Sequence, residues 1–113
     1  MPDQVIRDAI RRRASLTATY ERYVRFFSPH ILGKDSSSAQ IVVGYQYAGG
    51  RRGGLPPAGD WACFYIAGLS AVTPNADTWA AGPVTEKPIH VETDRHRGLT
   101  ERKGRPERRP VEG

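Results

Sequence analysis

Apolar positions near the start of the chain fall at Val5, Ile6, Ala9 and Ile10, with Arg7, Arg11 and Arg12 between and after them. This spacing predicts a short amphipathic helix ending near Ala14, with Asp3 as its N-cap. Such a helix is marginal alone, so its apolar stripe must pack on something. From Leu16 the period changes to two. Leu16, Ala18 and Tyr20 alternate with Thr17 and Thr19, the pattern of a half-buried strand. Glu21-Arg22 predicts a tight turn and residues 23–27 a second strand. Pro29 lacks an amide proton and belongs at a strand end or a sheet edge. A polar loop over 34–38 leads to the clearest strand, 40–47, and residues 61–72 predict a fourth, kinked or bulged at Gly68. The intervening AGGRRGGLPPAGD suits neither helix nor strand, and is either a disordered hairpin tip or a functional loop. Residues 77–83 set Trp79 among alanines, as a last turn or a short strand.

The pattern therefore predicts a mainly β domain over residues 1–83, with one N-terminal helix and at least four mostly antiparallel strands. A sheet this small curls into a barrel or packs under a helix to hide one face. Residues 84–113 are charged, punctuated by proline and almost free of large apolar side chains. Too little surface can be buried there to offset chain entropy, so this tail is expected to be disordered.

Charge refines the picture through its placement. The net charge is +5, with seven basic and three acidic residues in 1–34, two and three in 35–85, and eight and six in 86–113. The basic excess at the helix and tail suits nucleic acid or an acidic partner. No apolar run is long enough for a membrane helix, and no export leader is apparent. The single cysteine, Cys63, has no internal disulfide partner. The expectation is a cytoplasmic protein without metal or cofactor.

Candidate chemistry narrows to binding. Gly49-Gly50-Arg51-Arg52-Gly53-Gly54 has the glycines of a phosphate loop, but it lies between two strands and lacks the order of that motif. Arg51 and Arg52 remain candidate phosphate or nucleic-acid contacts. His30, His90 and His96 have no metal-ligand spacing, and Cys63, in an aromatic strand, reads as a small buried apolar residue. Asp35, Asp60 and Asp77 sit in turns, where Asp caps backbone amides. No nucleophile–base arrangement is visible, so no enzyme is expected. Tyr20, Tyr23, Arg25, His30, Tyr45, Gln46 and Tyr47, in contrast, put polar-tipped aromatics, a cation and an imidazole on neighbouring strands. That is the usual chemistry for nucleobases and planar anions.

The order of these features resembles the WYL domain. It is carried by Ile6 to Ile10, Leu16 to Tyr20, the Arg-x-x-x-Pro-His-x-x-Gly run from Arg25 to Gly33, Ile41 to Tyr47, and Trp61 to Leu69. The name motif itself is replaced by Ile-Val-Val-Gly-Tyr, and Ala62 and Gly68 stand where the family often has arginines. The resemblance implies a small SH3-like or Sm-like β-barrel with an N-terminal helix. It also implies a stand-alone, non-enzymatic ligand-sensing module in bacterial transcription or defence regulation, responding to a nucleotide or nucleic-acid-like ligand. Arg25 would hold an anionic group, Tyr20 and Tyr45 would stack or donate hydroxyls, and His30 would add a pH-sensitive donor. The alternative is a protein-interaction module, with a regulatory protein partner and no small ligand.

Overall fold

The computed structural model describes residues 2–83 and the backbone of Glu92–Thr93. Helix α1 spans Pro2–Arg12. Proline suits the first helical position because its missing amide hydrogen would be unsatisfied there anyway. Asp3 therefore lies within the first turn, where its charge faces the positive end of the helix, and is not the cap. The helix closes two residues earlier than the spacing suggests. Arg13 adopts a left-handed φ of 55°, and the Ala14 amide donates to the Ala9 carbonyl at 2.8 Å.

Five strands follow: β1 (Leu16–Tyr20), β2 (Tyr23–Lys34), β3 (Gln40–Gly49), β4 (Asp60–Tyr65) and β5 (Ser70–Pro74). They form an antiparallel sheet in the order β4-β3-β2-β1-β5. The β1–β2 turn is Glu21-Arg22, both at positive φ (52° and 74°), as a two-residue type I′ turn requires. The strand expected over 61–72 is two strands. A 3₁₀ turn at Ile66–Gly68 separates β4 from β5, and they lie at opposite ends of the strand order.

That separation shapes the sheet. Four inter-strand spacings would hold the two edges roughly 19 Å apart if the sheet were flat. A 3₁₀ turn rises only about 2 Å per residue, so the sheet curls until β4 and β5 approach. The curl is pinned where the Tyr65 amide donates to the Tyr20 hydroxyl at 3.1 Å. Among the described residues no ladder joins β4 to β5, so the pairing is that of a curled sheet. Its concave face and α1 enclose the main core of Ile6, Ala9, Leu16, Ala18, Phe27, Val42, Phe64, Ile66 and Leu69.

Proline does not end β2. The strand continues through Pro29 to Lys34, but β1 pairs with it only as far as Phe27. Beyond that point the β1 side of β2 is vacant, so a residue without an amide hydrogen breaks no ladder there. Two bulges follow from the β2–β3 register. Phe26 faces Ala48 and Phe27 faces Gln46, leaving Tyr47 as the extra residue on β3; Pro29 faces Gly44 and Ile31 faces Val43, leaving His30 as the extra residue on β2. Bulges re-aim side chains, and both fall on residues of the binding set.

The vacated flank of β2 is filled from the C-terminal side. Residues 75–83 cross it without regular structure, and Glu92–Thr93 (β6) pair antiparallel with Gly33 and Lys34. The remainder of the 84–113 stretch lies outside the described residues. No described helix is long and apolar enough to cross a membrane.

Candidate ligand site

Arg25 is paired with Ala18 of β1 and Gly49 of β3, and its side chain enters the concave side of the sheet. Only 5% of that side chain is exposed. The guanidinium carbon lies 5.3 Å from the Tyr20 ring centre, 5.5 Å from Tyr23 and 5.4 Å from Phe64, a three-sided aromatic cage. Nη1 donates to Gln46 Oε1 at 3.3 Å and Nη2 to the Tyr20 carbonyl at 3.1 Å. Gln46 is held in turn by donating to the carbonyls of Ala48 and Gly50.

The charge in this cage is poorly matched. Its acidic neighbour is Glu21, 3.6 Å away, whose own side chain is 68% exposed. Such a contact is worth little through solvent. The buried Nε–H has no acceptor among the described residues. Burial holds the guanidinium below its ordinary pKa; Glu21 opposes this, and nearby Arg51 lowers it further. A cation that could not be deprotonated in practice is thus kept in an apolar cage with incomplete compensation.

The roof of the cage is local. Tyr23, itself 38% exposed, packs on Gly50, where an added Cβ would lie 2.7 Å from its Cδ1. The Gly50 amide donates to the Val24 carbonyl, which brings the glycine-rich loop back against the β1–β2 hairpin. Arg51 is folded down by Asp60 at 3.1 Å and by the Gly54 carbonyl, while Arg52 is exposed. The long loop is thus turned and anchored, and Arg51 stands near Arg25.

His30 and Tyr45 do not join this site. Tyr45 lies on the opposite face of β3 and donates its hydroxyl to the Ala58 carbonyl at 2.6 Å. Its ring meets the edge of Trp61 at 5.3 Å in a second apolar cluster with Ile41 and Val43. His30 stacks on Trp79 at 4.2 Å, meets Trp61 edge-on at 4.8 Å and has Nε2 2.9 Å from the Ala80 carbonyl. The four residues grouped by sequence therefore divide into a cage built on Tyr20 and Arg25 and an outer cluster containing His30 and Tyr45.

Strand alternation alone could have separated Tyr45 from Gln46, but the bulges obscure which face His30 takes. Phe64 and Glu21 were missed as cage members because nothing local marks them. The pattern places Trp61 in a strand and Trp79 in a last turn or short strand, but does not show that both pack on His30. Of the three aspartates expected to cap turns, Asp35 does so, accepting from the Ser37 and Ala39 amides; Asp60 opens β4 and accepts from the Trp61 amide, and Asp77 accepts from the Tyr47 hydroxyl. Cys63 is half-buried against the outer cluster. Among the described residues no three His, Cys, Asp or Glu side chains are grouped to hold a metal.

Compared with known proteins, the chain matches no family model, no curated protein and no solved structure.

Proposed function

We propose that this chain is a non-catalytic, WYL-like regulatory module that binds a nucleotide or nucleic-acid-like anion where the Arg25 cage meets the Gly49–Gly54 loop. In this reading the curled sheet is of the SH3-like or Sm-like type. The observation that carries the proposal is the caged Arg25, a buried guanidinium with an unpartnered Nε–H and a second arginine beside it. A phosphate oxygen reaching the cage would supply the missing acceptor and the missing countercharge together, and charge-assisted bonds of this kind are the strong ones. Tyr23 is the residue that has to move. It is the first residue of β2, directly after the two-residue turn, and exposes more than a third of its surface. Its ring and that of Tyr20 then provide stacking faces for a base.

The test is a low-salt thermal-shift and anisotropy screen of nucleotides and short single-stranded oligonucleotides against the full chain. Binding that disappears in Arg25→Met and weakens in Arg51→Ser is expected. A wild-type chain that binds no member of the set sinks the proposal. Binding that survives Arg25→Met moves the site elsewhere.

A further inference from the structure

Helix α1 buries Ile6 and Ala9 against the sheet and turns arginines outward. Arg7 and Arg11 stand one turn apart on the face opposite those core residues. Arg12 and Arg13 continue the row at the helix end, and all four are exposed. Asp8 is the acidic partner of Arg11, at 2.6 Å. Among the described residues no carboxylate pairs with Arg7, Arg12 or Arg13. One cation in the last turn complements the helix dipole; the three successive arginines from Arg11 to Arg13 exceed that need.

Arg13 is the most specific of these. Its backbone is left-handed, at φ 55°, just past a helix end, where glycine or asparagine is the usual residue. A long side chain held there against its steric cost points to a use. Its guanidinium carbon lies 5.0 Å from the centre of the Trp79 ring, which is itself anchored by its indole donating to the Pro29 carbonyl at 3.2 Å. The end of the row is therefore positioned before any ligand arrives, which lowers the ordering cost of binding. From Arg7 to Arg12 the helix rises about 7.5 Å, close to two phosphate intervals of one duplex strand, about 7 Å. Guanidinium groups match phosphate through paired N–H bonds. A single strand would also need aromatic faces for its bases, and Trp79 is already engaged by Arg13 and by His30, stacked at 4.2 Å. We propose that the outward face of α1, through Arg7, Arg12 and Arg13, docks on the phosphate backbone of double-stranded nucleic acid, independently of base sequence and of the Arg25 cage.

The test is the fluorescence anisotropy of labelled, mixed-sequence DNA and RNA duplexes titrated with the full chain over a range of salt. Three phosphate contacts give log K against log salt a slope of about −2.7, so a fourfold rise in salt weakens binding about 40-fold. Arg7→Gln, Arg12→Gln and Arg13→Gly are each expected to make that slope shallower by about 0.9. Glycine suits the backbone at position 13, so that variant stays folded, as circular dichroism should show, while its affinity falls. Asp8→Asn frees Arg11 and is expected to tighten binding and steepen the slope. Arg25→Met is expected to bind duplex as wild type does, which keeps this result separate from the nucleotide screen; loss of duplex binding there overturns the proposal. So does a wild-type chain that binds neither duplex, or a slope unchanged in all three α1 variants. A single strand that binds as tightly as the duplex overturns the choice of a double strand. Polyglutamate that displaces the duplex at equal charge makes the partner an acidic protein and overturns the proposal. Salt dependence removed by changing Arg102, Arg105, Arg108 and Arg109 to glutamine, and by no α1 variant, assigns the contact to the tail and does the same.

Discussion

Arg25→Met separates a structural arginine from a binding one. Methionine fills a similar volume in the cage but removes the charge and all five N–H donors. On the cost side, buried Gln46 Oε1 loses its donor, about 1–3 kcal/mol, while the part-buried Tyr20 carbonyl still faces Tyr23 across the hairpin and loses less. The three ring contacts contribute roughly 0.5–2 kcal/mol each when desolvated. On the other side stands the effective penalty of removing a guanidinium from water, several kcal/mol after relaxation, for a side chain only 5% exposed. Methionine also interacts favourably with aromatic rings, by about 0.3–1.5 kcal/mol. The opposing sums nearly cancel. Arg25→Met should therefore change unfolding stability by no more than about 2 kcal/mol, while Arg25→Ala, which also empties the cage, should cost about 2–5 kcal/mol more. Urea unfolding monitored by circular dichroism, with unchanged slopes, measures both. If methionine destabilises as much as alanine, the arginine is a fixture of the core. The argument from an under-compensated cation is then refuted.

Three further outcomes follow from other parts of the fold. Replacing Glu21-Arg22 by Asn-Gly should raise stability by about 1–2 kcal/mol in the same assay, because both positions hold left-handed backbone that ordinary L-residues adopt at a cost. Ser28→Ala should cost about 1–3 kcal/mol, since Ser28 Oγ is 2.8 Å from Ser15 Oγ and accepts from the Ala80 amide, and both partners would lose it. Tyr65, partly desolvated and donating to Asp35, has its pKa raised from 10.0 to about 12. The folded state keeps this proton after the unfolded chain has lost it, so the associated stability is intact below pH 10 and is lost as pH rises towards 12. Burial also raises Tyr20 and Tyr47, so the late phenolate absorbance should lose one tyrosine's share in Tyr65→Phe, whose stability should decline less over that interval.

The legible parts of the fold were those set by local chemistry. The apolar spacing of Val5 to Ile10 and the alternation after Leu16 reported α1 and β1, because each element buries one face on its own period. The break at Ile66–Gly68 was hidden because apolar residues continue through it, Ile66 and Leu69 both being core residues. Periodicity cannot distinguish a strand from a corner when both face inward. Pro29 misled for a different reason. Its missing amide matters only where a neighbouring strand needs it, and the length of β1 decides that. For the site, residue type found Arg25, while its partner Phe64 is supplied by the curl of the sheet, which no local window contains.

The strand order has a consequence for synthesis of the chain. Helix α1 packs on β2 and β5, and β1 pairs with β5 along its outer edge. Helix α1 therefore lacks half its seat until residues 70–74 have left the ribosome. Until then the apolar stripe of α1 and one whole edge of β1 face solvent or other chains. The hairpins from β1 to β4 can form in order as they emerge, but the core closes only once β5 has followed them. A chain emerged only as far as residue 69 keeps that stripe and that edge uncovered, whereas one emerged past residue 83 can form β1 to β5 together with the segment 75–83 that crosses β2.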